Sequence, residues 1–126
     1  MTREESTGIR SLEFSQWIRT NLPDSGTGFL VSDIDFYTFN WKTKKAMLLE
    51  VKTHGASLCK WQDRMYKELQ HWISLGMISS KEVPGWRFFG SHTIIFSGSN
   101  FNDGDCRLDG RIVSEQELMK FLSMED

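Results

Sequence analysis

The chain has two cysteines, two prolines and no apolar run that approaches the ~18–20 residues a membrane-spanning helix needs. Cys59 and Cys106 have neither metal-ligand spacing nor a third partner, so no structural zinc motif is present. With no signal peptide in the sequence, the expectation is a soluble, cytoplasmic protein whose thiols stay reduced. His54, His71 and His92 are 17 and 21 residues apart with no Cys pair nearby, which argues against a zinc site of His ligands. Glycine-rich phosphate-cradling patterns are missing, and no Ser-His-Asp or Cys-His arrangement can be assembled from motifs. Charge of one sign is also lacking: the formal net charge is −2, so the total shows no broad basic surface.

What is present is a hydrophobic fraction of 39% in 126 residues, enough for one domain with a buried core. Five Trp and nine Phe are many for this length, and they serve either to fill a small α/β core or to line a surface that meets a partner. The basic residues are unevenly spread. Lys42, Lys44, Lys45, Lys52, Lys60, Arg64 and Lys67 face only Glu50 and Asp63 in the same span, whereas acids lead from Phe101 to Asp126. A locally basic stretch on a near-neutral chain suits transient contact with phosphate better than stoichiometric coating.

The organising stretch is residues 31–55, VSDIDFYTFNWKTKKAMLLEVKTHG. Residues 29–39 alternate and are rich in β-branched and aromatic types, and residues 46–53 form a second apolar run, so the pair reads as a β-hairpin. Asp33 and Asp35 share one strand face, as do Glu50 and Lys52. A two-residue turn at Trp41-Lys42 would set Asp33 opposite Glu50; a four-residue loop over 41–44 would set Asp35 there. Trp-Lys suits the positive φ of a tight turn poorly, which favours the longer loop and Asp35. Either like-charge pair is destabilising unless a cation or a proton lies between the partners.

Around this hairpin, residues 1–10 read as a flexible N-terminus and 11–126 as a single domain. Ser11 is positioned to cap a first helix through Leu12, Phe14, Trp17, Ile18 and Leu22, ended by Pro23. Apolar residues at three- and four-residue steps predict a second helix over 57–76, capped by Ser57 and closed by Gly76. Trp86–Gly90 and His92–Phe96 read as one interrupted strand or two short ones. Asp109-Gly110 is a hairpin turn, and Ser114 with Glu117 forms a capping box for a last short helix.

Asp33 or Asp35 followed by Glu50-Val51-Lys52 resembles the PD-(D/E)XK nuclease superfamily, with Ser32 where the family name has proline. Gln62-Asp63-Arg64-Met65-Tyr66 is similar to the Q-x-x-x-Y pattern of RecB-like members. The resemblance covers residues 10–100 and implies an α/β fold: a restriction-endonuclease-like core, a central mixed β-sheet flanked by helices in the order α-β-β-β-α-β. It implies a metal-dependent nuclease that hydrolyses phosphodiester bonds in DNA, with RNA as an alternative substrate. Asp35, Glu50, Asp33 and the Val51 carbonyl would bind Mg²⁺ or Mn²⁺. Lys52 would orient the attacking water, and Gln62 and Tyr66 would reach towards the phosphate or that water. Glu13, on the first helix, is either a further metal ligand or a solvated helix charge, and His54 is a candidate phosphate contact. A homodimer or a larger nuclease complex fits a small domain that must cut two strands. The rival reading keeps the fold without catalysis, as a nucleic-acid-binding or protein-interaction module.

Overall fold

The structure is a computed structural model that describes residues 8–23 and 34–125. The chain divides into two compact units, residues 1–32 and 33–126. In the first, helix α1 spans Gly8–Asn21. It starts ahead of Ser11, because Ile9 and Arg10 continue the helical turn upstream and leave the expected cap inside the helix. Its last turn is closed by Thr20 Oγ1 on the Gln16 carbonyl (3.0 Å) and Asn21 Nδ2 on the Trp17 carbonyl (2.9 Å), just before Pro23.

The second unit is a five-stranded mixed sheet in the order β1-β2-β3-β4-β5, with two helices. Strands β1 (Phe36–Asn40) and β2 (Lys45–Lys52) form the expected hairpin. Asn40 faces Lys45, so residues 41–44 are the connection and the longer loop is the one formed. Lys44 closes it with φ 58° and donates its N–H to the Asn40 carbonyl at 2.8 Å. Of the strand predicted over 29–39, residues 29–33 lie outside the described residues.

Helix α2 (Lys60–Ser79) carries the chain from β2 to β3 (Arg87–Phe96), which pairs parallel with β2. The predicted limits of this helix shift at both ends. The Gln62 side-chain oxygen accepts the Cys59 N–H at 3.3 Å, which makes Cys59 rather than Ser57 the capping residue. At the other end Gly76 lies within the helix, which continues to Ser79, and Met77 of this last turn lines an apolar cavity with Trp86. Strand β3 is continuous but bulged: Ala46 pairs with Phe88 and Leu48 with Ser91, leaving an extra residue beside Gly90, whose φ is 90°. Strands β4 (Cys106–Leu108) and β5 (Arg111–Val113) form a hairpin on Asp109-Gly110, whose φ values of 51° and 86° suit the tight turn read from that dipeptide. Helix α3 (Glu115–Ser123) has the predicted capping box, with Ser114 Oγ accepting the Glu117 N–H at 3.1 Å and Glu117 Oε1 accepting the Ser114 N–H at 3.2 Å.

Alternation along β2 separates two environments. Met47 and Leu49 join Ile94, Cys106, Leu108, Val113, Leu118 and Met124 in the buried cluster beneath α3. Met47 is 1% exposed, and burial of such a side chain contributes roughly 1.5–3 kcal/mol. The opposite face, carrying Ala46, Leu48 and Glu50, lies under α2. Two side chains, one at the end of β1 and one in the hairpin connection, fasten the end of α3: Asn40 Nδ2 donates to the Ser123 carbonyl at 3.0 Å and Thr43 Oγ1 to the Met124 carbonyl at 2.8 Å.

The architecture is therefore α/β, with the described residues giving the order α-β-β-α-β-β-β-α. Two described strands, where the expected order has three, separate the first two helices, and residues 24–33 lie outside the described residues.

Candidate active site at the end of the central hairpin

Among the described residues Glu50 is the buried charge, 3% exposed near the C-terminal end of β2. A carboxylate there must be compensated. Lys52, two residues on and therefore on the same strand face, places Nζ 3.3 Å from Glu50 Oε1. Tyr66, one turn and a half into α2, donates its hydroxyl to Glu50 Oε2 at 2.6 Å. Among the described residues each carboxylate oxygen thus has one partner, a cation on one side and a neutral donor on the other.

The paired register ends at Phe36–Leu49, so Asp35, in the bend before β1, and Glu50 are the next residues beyond the last pair. Asp35 Oδ2 accepts the backbone N–H of Val51 at 2.9 Å, which ties the residue before β1 to the strand end where Glu50 and Lys52 lie. Burial, the hydrogen bond to Glu50, and the negative charges of Glu50 and then Asp35 all push the Tyr66 phenol well above its ordinary range. Tyr66 consequently stays a proton donor to Glu50 throughout the neutral range, and the Asp35 charge is near enough to be felt on the α2 side of the sheet.

The structure thus brings together Asp35, Glu50, Val51, Lys52 and Tyr66. Asp33, the other predicted carboxylate, lies outside the described residues. Gln62 is engaged elsewhere: its Oε1 accepts from both the backbone N–H and the Sγ of Cys59, at 3.3 and 3.4 Å, in the cap of α2. His54 does not continue the strand on which a phosphate contact was expected. Strand β2 ends at Lys52, and His54 takes a left-handed backbone with φ 54° in the turn that follows. Glu13 belongs to the other compact unit. Among the described residues no group of three or more His, Cys, Asp or Glu side chains converges as a metal-binding cluster.

One neighbour of the site was not legible as such. A polar cavity of about 190 Å³ is lined by Tyr66, Asp63, Lys67, Gln70, Ser91 and His92, with Thr93 and Asp109. His92 Nδ1 lies 2.6 Å from Asp109 Oδ2, and Nε2 lies 2.6 Å from the Phe89 carbonyl oxygen. Asp109 could be read only as a turn residue, since its pairing with His92 arises from the β3–β4 register. Gln70 Oε1 accepts from the N–H and hydroxyl of Ser91, both at 3.2 Å, and braces the bulge beside Gly90.

Comparison of the chain with protein-family models, with curated proteins and with solved structures returns no match. No helix among the described residues is long and apolar enough to cross a membrane.

Proposed function

We propose that the chain is a metal-dependent nuclease that hydrolyses phosphodiester bonds in DNA, or alternatively in RNA, on a restriction-endonuclease-like core. What supports the reading is Asp35 Oδ2 on the Val51 N–H at 2.9 Å, next to Glu50 in the chain, with Lys52 3.3 Å from the Glu50 carboxylate. The donor set fits a hard divalent cation: it is all oxygen, and a carboxylate offers about four lone-pair sites, of which Glu50 uses two. Asp35 Oδ1 has no partner among the described residues. Asp35, Glu50 and the Val51 carbonyl would hold Mg²⁺ or Mn²⁺, with Asp33 as a further ligand. Such an ion neutralises charge on a phosphate and lowers the pKa of an attacking water.

The residues of the chain have distinct tasks in this reading. Lys52 supplies an ammonium beside the carboxylates, where it stabilises negative charge that develops on the phosphate or the nucleophile. Tyr66 is a positioning residue: its hydroxyl fixes the Glu50 carboxylate in one orientation. Gln62 acts on the helix that carries Tyr66, by capping its first turn. The two cysteines are free, which agrees with a cytoplasmic setting, and a homodimer or a larger nuclease complex is the proposed assembly.

The test is cleavage of single-stranded, duplex, nicked and branched DNA, and of RNA, with Mg²⁺ or Mn²⁺. Glu50→Gln and Lys52→Ala are each expected to lower the rate by about 10²-fold or more, as loss of an electrostatic group at a reacting centre does. Absence of cleavage by the parent on every substrate, or cleavage indifferent to both substitutions, refutes the proposal. The second reading, a non-catalytic binding module, is favoured by the Lys52 and Tyr66 contacts that already compensate Glu50. Mn²⁺ titration followed by thermal shift separates the two: only the nuclease predicts stabilisation that depends on Asp35 and Glu50.

A further inference from the structure

Asp35 immediately precedes β1. Tyr37 and Phe39 alternate with Thr38 along β1 and so share one side of it. Their cross-strand partners agree: Tyr37 faces Leu48 and Phe39 faces Ala46, which lie on the Glu50 face of β2. Helix α2 runs over this face in the same way, with Tyr66 at Glu50 and Met77 at the far end. There Tyr37, Phe39, Met77, Val83 and Trp86 enclose an open cavity of about 300 Å³. Its rings form a group: Tyr37 and Phe39 centroids are 5.7 Å apart, and Phe39 meets Trp86 edge-on at 6.2 Å. Tyr37 and Phe39 are about half exposed, at 48% and 56%.

One lysine side chain is placed beside this cavity. Lys44 Nζ lies 3.4 Å from the Pro84 carbonyl oxygen, beside Val83 and Trp86. Two more lysines are near in sequence: Lys42 in the same connection, with Nζ 5.6 Å from the centroid of the Trp41 ring, and Lys81, next to Glu82, before Val83. The Lys44 carbonyl also accepts the Arg87 N–H at 2.9 Å, so the hairpin connection and the Trp86 segment are tied together and the cavity walls are preset.

Apolar ring faces with a lysine beside them are the chemistry that receives an unpaired base while its phosphates stay in solvent. We infer that this cavity is a stacking subsite for an unpaired nucleobase of a single-stranded nucleic acid, whose backbone continues along β1 towards Asp35 and Glu50. The inference rests on the nuclease reading for its direction, but not for its binding step. A paired base cannot enter, so the subsite selects single strands, frayed ends or flipped nucleotides over intact duplex.

The experiment is binding without cleavage. Fluorescence anisotropy of a labelled oligothymidylate, its ribonucleotide counterpart and a duplex is measured with the full chain in EDTA. The parent is expected to bind the single strands more tightly than the duplex. Phe39→Leu, which keeps the apolar volume and removes the ring, and Trp86→Leu are each expected to weaken single-strand binding about tenfold, ~1.4 kcal/mol, whereas Phe39→Tyr leaves it unchanged. Lys44→Ala should reduce the salt dependence of binding by about one counterion. Thermal melting identifies any variant whose loss reflects unfolding, and the Phe39→Leu and Phe39→Tyr pair then decides. Equal binding by parent and ring-deleted variants overturns the inference, as does duplex binding equal to single-strand binding. Self-association that Phe39→Leu abolishes overturns it too, since a second copy would then occupy the face. Ring-dependent binding without cleavage would leave the subsite standing and remove the nuclease; cleavage unaffected by ring loss would do the reverse.

Discussion

Replacing Tyr66 with Phe removes one oxygen atom and leaves the ring in place, so it creates almost no cavity and isolates a single interaction. The hydroxyl it removes donates at 2.6 Å to Glu50, and both residues are nearly inaccessible, 4% and 3% exposed. A hydrogen bond to a buried charged group contributes about 1.5–3 kcal/mol, because its loss leaves the carboxylate oxygen without a donor and without water. Taking ~2 kcal/mol and an unfolding entropy of ~2.1 cal/mol/K per residue over 126 residues, the midpoint should fall by roughly 8 °C. Urea unfolding of the parent, Tyr66→Phe, Glu50→Gln and the double variant measures both the loss and its coupling. The two single losses should exceed the double loss by about 1–2 kcal/mol, as expected for groups in direct contact. The pH dependence has a definite sign. The folded phenol is raised above its ordinary value of about 10, so its contribution is complete below pH 10 and is lost as pH rises further. Tyr66→Phe should therefore flatten the alkaline fall in stability. A loss below about 0.5 kcal/mol, the range of ordinary surface changes, together with additivity would show that Glu50 does not rely on this donor.

Three further outcomes follow from other parts of the second unit. Gly90→Ala should cost about 1–2 kcal/mol in urea unfolding, because φ is 90° there and the new Cβ would lie 3.4 Å from the Gln70 side chain; a neutral result would mean the bulge can relax. Ser114→Ala should cost about 1 kcal/mol by loss of the α3 cap, measured the same way. The Ser99 hydroxyl and the N–H groups of Asn100 and Ser99 hold the Asp103 carboxyl down at about 2. The order it gives that loop is present above the ordinary carboxylate value and is lost only as pH falls through about 2. The Ser99 and Asn100 amide resonances should report that midpoint, and one near 4 would contradict the geometry.

The parts of the fold legible in the sequence are those set by neighbours in the chain. Trp41-Lys42 is a poor tight turn, which is enough to favour the four-residue connection that the Asn40–Lys45 pair shows. Asp109-Gly110 and the Ser114/Glu117 box are likewise local, and both are in place. The limits of α2 differ from the expected ones because Ser57 and Gly76 have the right residue types, whereas Gln62 and Met77 fix the ends through a side-chain bond and a packing contact. The same cause divides the Gln62 and Tyr66 pair. Four-residue spacing gives them a common helix face but does not show that one turns back to Cys59 while the other reaches Glu50. The His92–Asp109 contact needed the β3–β4 register, which no local pattern specifies.

The side chains of Asn40 and Thr43 bond to carbonyls 83 and 81 positions further along the chain. The first hairpin is therefore latched by the last helix, and its geometry is not a local property of the peptide that forms it. A fragment ending before α3 would lose both clasps, and with them the brace on the connection that carries Lys44 and precedes the strand bearing Glu50. Such distant closure slows folding, since the loop entropy is spent before the reward arrives. It also makes the integrity of the far end of the domain a condition for the alignment of Asp35 with Glu50.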